Sequence, residues 1–146
     1  MIALIQRVSE AQVRVSDEVV GAIGRGVLAL IGVRRGDDSV AVARLLERLL
    51  SYRVFSDGQG RMNLSVREVG GGVLLVPQFT LVADTKKGTR AGFSAAAAPA
   101  DAQHLFTLLV QRARAAYAPV SSGVFGAHMQ VALVNDGPVT FWLETP

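Results

Sequence analysis

"MQVALVNDGPVTFWLE", residues 129–144, sets two apolar runs around a break. Met129–Val134 reads as one strand and Val139–Leu143 as another. Asn135-Asp136-Gly137 between them has hairpin-turn chemistry, because these residues tolerate positive φ. Pro138 works against a simple hairpin, since it has no N–H to donate where the second strand should begin pairing. The chain has only five prolines. Glycine lets another group approach its backbone closely, and an X–Pro bond adopts the cis form at modest cost. The pair is therefore either a plain surface turn or a backbone feature presented to something else.

Upstream, Ile2–Val8 and Ala11–Val15 read as strands broken near Ser9-Glu10. Val19–Ile23 and Val27–Val33 follow around a Gly24-Arg25-Gly26 turn. Gly36-Asp37-Asp38 caps a helix whose Val42, Leu45, Leu46, Leu49 and Leu50 share one face. Tyr52–Phe55 and Met62–Val66 are short strand candidates around the turn at 56–60. Gly70-Gly71-Gly72 introduces Val73–Val76, apolar on both faces and so a buried strand. Residues 83–98, "ADTKKGTRAGFSAAAA", form a long loop. Pro99 and Asp101 start a second helix with Leu105, Phe106, Leu109, Val110 and Ala113 inward, ended by Pro119 and Ser121-Ser122-Gly123. No repeat of roughly 20 to 50 residues recurs. Two helices among about eight strands make a β-rich α+β domain with no linker.

Half of the 146 residues are apolar and 18% are charged, enough for a real core. There is no cysteine, which excludes disulfides and thiolate metal sites. With only His104 and His128, no metal-ligand cluster emerges. No apolar run reaches the roughly 18 residues of a membrane span. The first residues lack a signal-peptide layout, so a cytoplasmic location is expected. The net charge is +3, carried by 13 Arg and 2 Lys against 12 acidic residues. That balance is too weak to demand a nucleic-acid partner.

The chemistry-bearing motifs are few. There is no G-x-S-x-G elbow and no Walker loop, and the triple glycine precedes a strand rather than a helix, so it is a turn and not a phosphate cradle. In "VPQFTLVADTKKG", residues 76–88, a buried strand runs into Pro77 and should leave the sheet there. The N–H groups of Gln78, Phe79 and Thr80 are then candidates for a ligand or an oxyanion. An edge strand with an ordinary threonine is the bland alternative.

Taken together, "MIALIQRV", "YRVFSD", "MNLSV", "LLVPQFTLVADTKKG" and "MQVALVNDGPVTFWLE" resemble the D-aminoacyl-tRNA deacylases, the DTD family, in the right order and from end to end. The most specific blocks are Pro77-Gln78-Phe79-Thr80-Leu81 and Asn135 to Thr140. The resemblance implies an α+β fold, a β-rich barrel-like sheet core with two main helices, in a single domain over residues 1–146. It implies a homodimeric, cofactor-free ester hydrolase that releases D-amino acids from the 3′-terminal adenosine of tRNA and clears glycine mischarged on tRNA(Ala). It implies a cis Gly137-Pro138 peptide that reaches into the partner subunit's site and rejects L-aminoacyl-tRNA. Arg7 matches the arginine that locks this motif, and Phe125 and Met129 match positions lining the adenine pocket. The catalytic stretch is expected at Gln78, Phe79 and Thr80. Lys86, Lys87 and Arg90 are candidate tRNA-phosphate contacts.

Pro77 stands where the family usually has serine, which removes any hydroxyl role there. Ala91 stands where many members have proline. An aminoacyl ester beside a vicinal 2′-hydroxyl is already activated, so the expected mechanism needs no strong base. Phe79 and Thr80 N–H groups bind the oxyanion and the 2′-hydroxyl helps place water, with Thr80 Oγ as the alternative nucleophile. A tRNA-binding module without activity should show more clustered Lys/Arg. A purely structural dimer leaves Gln-Phe-Thr after a strand-ending proline without a reason.

Overall fold

The computed structural model describes all residues, 1–146. Eight strands, two long helices and a one-turn helix make up the chain. Strand β1 (Ile2–Val15) organises the sheet. On one side its first half pairs with β3 (Gly26–Gly32) and its second half with β2 (Glu18–Ile23). On the other side it pairs with β8 (Gln130–Glu144) along nearly its whole length. β6 (Gly72–Pro77) adds parallel to β3, and β7 (Val120–Ser122) adds parallel to β6. Ser121 Oγ donates to Ala22 O of β2 at 3.2 Å, so the sheet curls back on itself into a nearly closed barrel.

Alternation along the central strands sorts side chains between two cores. Leu28, Leu74 and Val76 point into the barrel, where they meet Val8, Ala11, Val13 and Ile23. Val27, Ala29, Ile31, Val73 and Leu75 point outward against the helices. This is why β6 is apolar on both faces. Helix α1 (Ser39–Ser51) buries Val42, Leu45, Leu46, Leu49 and Leu50, each worth about 1.5–3 kcal/mol when fully buried. Its cap is Asp38, which accepts Val40 and Ala41 N–H, both at 3.0 Å. The last long helix, Pro99–Ala116, starts on proline and buries Leu105, Phe106, Leu109, Val110 and Ala113 as its spacing requires. No helix is long and apolar enough to cross a membrane.

Several expected boundaries move. The break near Ser9-Glu10 is a bulge inside one strand rather than a gap between two. The two strands expected at 129–134 and 139–143 are one strand, β8, paired to the same neighbour throughout. The strand expected at Tyr52–Phe55 shrinks to β4 (Phe55–Ser56), paired with β5 (Met62–Leu64). Val66 belongs instead to the one-turn helix α2 (Val66–Val69), because Ser65 and Glu68 form a reciprocal capping box. Gly70 closes that helix in the left-handed conformation, φ 65°. Ser121 and Ser122, expected only to end the second long helix (α3), form strand β7. The loop at 83–98 is closed on itself by Asp84 and Gly92, which exchange backbone hydrogen bonds of 2.7 and 2.9 Å.

Candidate active site

The site begins where β6 ends. Pro77 pairs with Ile31 as the last step of the parallel ladder. Gln78 N–H then donates to Ile31 O at 2.7 Å. That N–H is taken by the neighbouring strand, which removes it from the three candidate oxyanion donors. The chain next turns into a single 3-10 turn, Phe79–Val82. The turn's own bonds begin with Leu81 N–H to Gln78 O, 3.2 Å, so Phe79 and Thr80 N–H lie outside its ladder, as first-turn donors do. Gln78 Nε2 donates to Thr80 Oγ1.

The turn sits against β3 because residue 32 is glycine. A Cβ there would lie 3.0 Å from Val82 Cγ2 and 3.2 Å from Leu81 Cβ. Sequence reading missed Gly32, since a glycine at a strand end gives no signal of what packs on it. Phe79 is 61% exposed and tilts against Phe93, with ring centroids 5.2 Å apart.

Beside this turn opens a cavity of about 460 Å³. Pro77, Gln78 and Phe79 form one wall and Phe125 and Met129 another, so the structure brings together residues 78, 79, 125 and 129. Phe106 of α3 backs Phe125 at 6.5 Å between centroids. Gln78 and His128 supply the only polar side chains of the lining. The loop between β7 and β8 brings His128 to this wall, a place that no sequence motif marks. An apolar slot of this size suits a flat heterocycle, and Phe79, whose N–H lies outside the turn's ladder, is part of its wall. Thr80 is exposed beside it. Lys86, Lys87 and Arg90 are exposed on the 84–92 loop, where Lys86 N–H donates to Asp84 Oδ1 at 3.0 Å.

The second feature is a protrusion on β8. Gln6 pairs with Thr140 and Val8 with Asn135, so residues 136–139 stand opposite Arg7 alone. The Gly137-Pro138 bond at its tip is cis. Its base is stapled by Asn135, which accepts Val139 N–H at 3.1 Å and donates to Thr140 Oγ1 at 2.9 Å. From β1, Arg7 Nε donates to Asp136 O at 2.9 Å while Nη1 donates to Val54 O at 2.8 Å. Gly137 has φ 138°, and a Cβ on it would lie 3.1 Å from Arg7 Nη2. Neither Gly137 nor Pro138 is among the residues lining the cavity.

Known proteins resemble this chain along its whole length. Residues 4–144 match the family model described as D-Tyr-tRNA(Tyr) deacylase. A D-aminoacyl-tRNA deacylase of Thioalkalivibrio sulfidiphilus is 65% identical over 146 residues, covering 100% of this chain and 98% of the relative. One from Alkalilimnicola ehrlichii is 62% identical over 144 residues, covering 99% and 96%. A solved structure of a c-Myc DNA Unwinding Element Binding Protein superposes with a TM-score of 0.95 at 37% identity, covering 100% and 99%. A probable eukaryotic D-amino acid tRNA deacylase shares the fold, with a TM-score of 0.78 at 20% identity over 99% and 98% of the two chains. The chain is a member of the D-Tyr-tRNA(Tyr) deacylase family.

Proposed function

We propose that this protein is a D-aminoacyl-tRNA deacylase that hydrolyses the ester between a D-amino acid and the 3′-terminal adenosine of tRNA. The observation that carries this reading is the apolar cavity of Phe125 and Met129 opening beside the free N–H groups of Phe79 and Thr80. Adenine fills the cavity, which brings the ester carbonyl to the turn. Water attacks the carbonyl carbon, and the charge that develops on oxygen is met by the two N–H donors. Each such donor is worth about 3–4 kcal/mol in comparable sites. The bond to ribose O3′ then breaks and that oxygen leaves as a hydroxyl, with the vicinal 2′-hydroxyl placing the water. Thr80 Oγ is the other nucleophile to consider. Its hydrogen-bond partner is the Gln78 amide, a donor and not a base, which favours the RNA-assisted route.

Selection by chirality follows from a backbone wall. The enzyme must accept many D side chains and refuse every L one, and a side-chain pocket would discriminate by size instead. With the amino group and the carbonyl both fixed, exchanging hydrogen and side chain at Cα drives an L side chain into the wall. Glycine has nothing to clash, so glycine on tRNA(Ala) is also a substrate. Gly137 and Pro138 form this wall, held by Arg7, and act in the partner's cavity. Two observations support a homodimer: the protrusion is not part of its own chain's cavity, and β8 has one unpaired edge beside the exposed Val134 and Trp142. Lys86, Lys87 and Arg90 contact tRNA phosphates, and the setting is the cytoplasm, where tRNA is charged.

Incubation with D-Tyr-tRNA and with Gly-tRNA(Ala), following free amino acid, tests the reading. Release from both is expected. Binding of either without release would leave a tRNA-binding protein and overturn it.

A further inference from the structure

Ala96 and Ala97 line two hollows at once: the cavity described above and a second one of about 650 Å³. The ridge between them is fixed to the end of β3. Ala97 N–H donates to Val33 O at 3.1 Å, and Ala95 O accepts Arg35 N–H at 2.9 Å. Its small side chains leave room for a sugar-phosphate chain to cross.

The second hollow differs in chemistry from the first, being lined by Arg34, Arg35, Asp37, Asp101 and His104. Two of these are already engaged: Arg34 Nη2 donates to Thr145 O at 2.5 Å, and Asp37 Oδ2 accepts Arg34 N–H at 2.6 Å. Arg35, Asp101 and His104 have no hydrogen-bonded or ion-paired side-chain partner and are exposed to whatever enters. Asp101 and His104 are three residues apart on α3, hence on one face.

We propose that this hollow is the subsite for the nucleotide preceding the terminal adenosine, and that Arg35 and Asp101 read its cytosine. The proposal rests on the deacylase reading above. Every tRNA ends in the same C-C-A, so an enzyme serving many tRNAs gains by reading what they share. Cytosine presents an N4 amino donor next to N3 and O2 acceptors. A carboxylate accepts from N4, and a guanidinium donates to N3 and O2. Uracil turns the donor into a carbonyl, which faces the Asp101 carboxylate unfavourably. His104 offers a flat ring against the base. The internucleotide phosphate crosses the Ala96-Ala97 ridge.

The test compares kcat/KM for D-tyrosyl esters of adenosine, of the dinucleotide CpA and of UpA, using the wild type, Arg35→Ala and Asp101→Asn. The wild type should favour CpA over adenosine and over UpA by about tenfold each, chiefly through KM. Asp101→Asn should erase the preference over UpA, and Arg35→Ala the preference over adenosine. Equal rates on the three substrates in the wild type, or preferences that survive in both variants, would overturn the subsite and leave the deacylase reading intact. Failure to hydrolyse even D-Tyr-tRNA would overturn both.

Discussion

Arg7 on β1 donates to the carbonyl of Asp136 on β8 at 2.9 Å, and it does so from the one position of β1 that faces four residues of its neighbour. The same guanidinium reaches Val54 O at 2.8 Å. The protrusion is therefore tied through one side chain to the body of the domain. Lysine has neither the planar fork nor the reach to serve both carbonyls. Arg7→Lys should leave the domain folded but loosen the tip. Loss of charged hydrogen bonds worth about 1.5–3 kcal/mol should lower D-Tyr-tRNA hydrolysis by tenfold or more, or admit measurable L-Tyr-tRNA hydrolysis. Rates on both substrates, with a melting curve as the folding control, decide this.

Gly32 should prove as important as the residues that touch substrate. Its missing side chain gives the Phe79–Val82 turn its seat, and a Cβ would lie 3.0 Å from Val82. Gly32→Val should push the turn outward. A displacement near 1 Å at a reacting centre costs on the order of a hundredfold, so kcat should drop by tenfold to a hundredfold. Overpacking should cost about 1–3 kcal/mol of stability besides. Wild-type kcat in this variant would detach the turn from the chemistry.

Thr80→Ala separates the two nucleophiles. If the 2′-hydroxyl places water, the variant keeps much of its rate and a substrate ending in 2′-deoxyadenosine is poor. If Thr80 Oγ attacks, the variant loses activity by orders of magnitude and a burst of acyl-enzyme disappears with it. The pairing of Thr80 with the Gln78 amide leads us to expect the first result.

Phe125 should carry adenine affinity. It lines the cavity and leans on Phe106, and base packing on an aromatic ring is worth about 1–3 kcal/mol. Phe125→Ala should raise the Kd of a non-hydrolysable aminoacyl-adenosine by roughly ten- to hundredfold, measured by calorimetry. An unchanged Kd would remove it from the adenosine site.

The sequence was most legible where a residue's own periodicity or cap determines its conformation. Both long helices carry their apolar faces where the spacing puts them, and Val73–Val76 is apolar on both faces because it separates two cores. Legibility failed where the partner strand determines the outcome. Asn135-Asp136-Gly137 has the chemistry of a reversal, yet the chain does not reverse. The residues bow out of β8 while both flanks stay paired to β1, and nothing local to the sequence distinguishes a bow from a hairpin. Ser65-x-x-Glu68 is a capping box masked by the alternating apolar and polar residues of Met62–Val66, a pattern that also suits a strand. Gly32 and His128 owe their places at the site to packing between segments far apart in sequence, which no local pattern encodes. Phe125 and Met129, by contrast, were found through their likeness to a family block, and the structure places both on one cavity with Gln78 and Phe79.

The most direct test of the account is a matched pair: one tRNA(Tyr) preparation charged with D-tyrosine or with L-tyrosine, incubated with the same enzyme, with free tyrosine measured over time. Rapid release from the D ester and none above background from the L ester is the predicted result. Equal release from both would contradict the backbone wall at Gly137-Pro138, and no release from the D ester would contradict the deacylase itself.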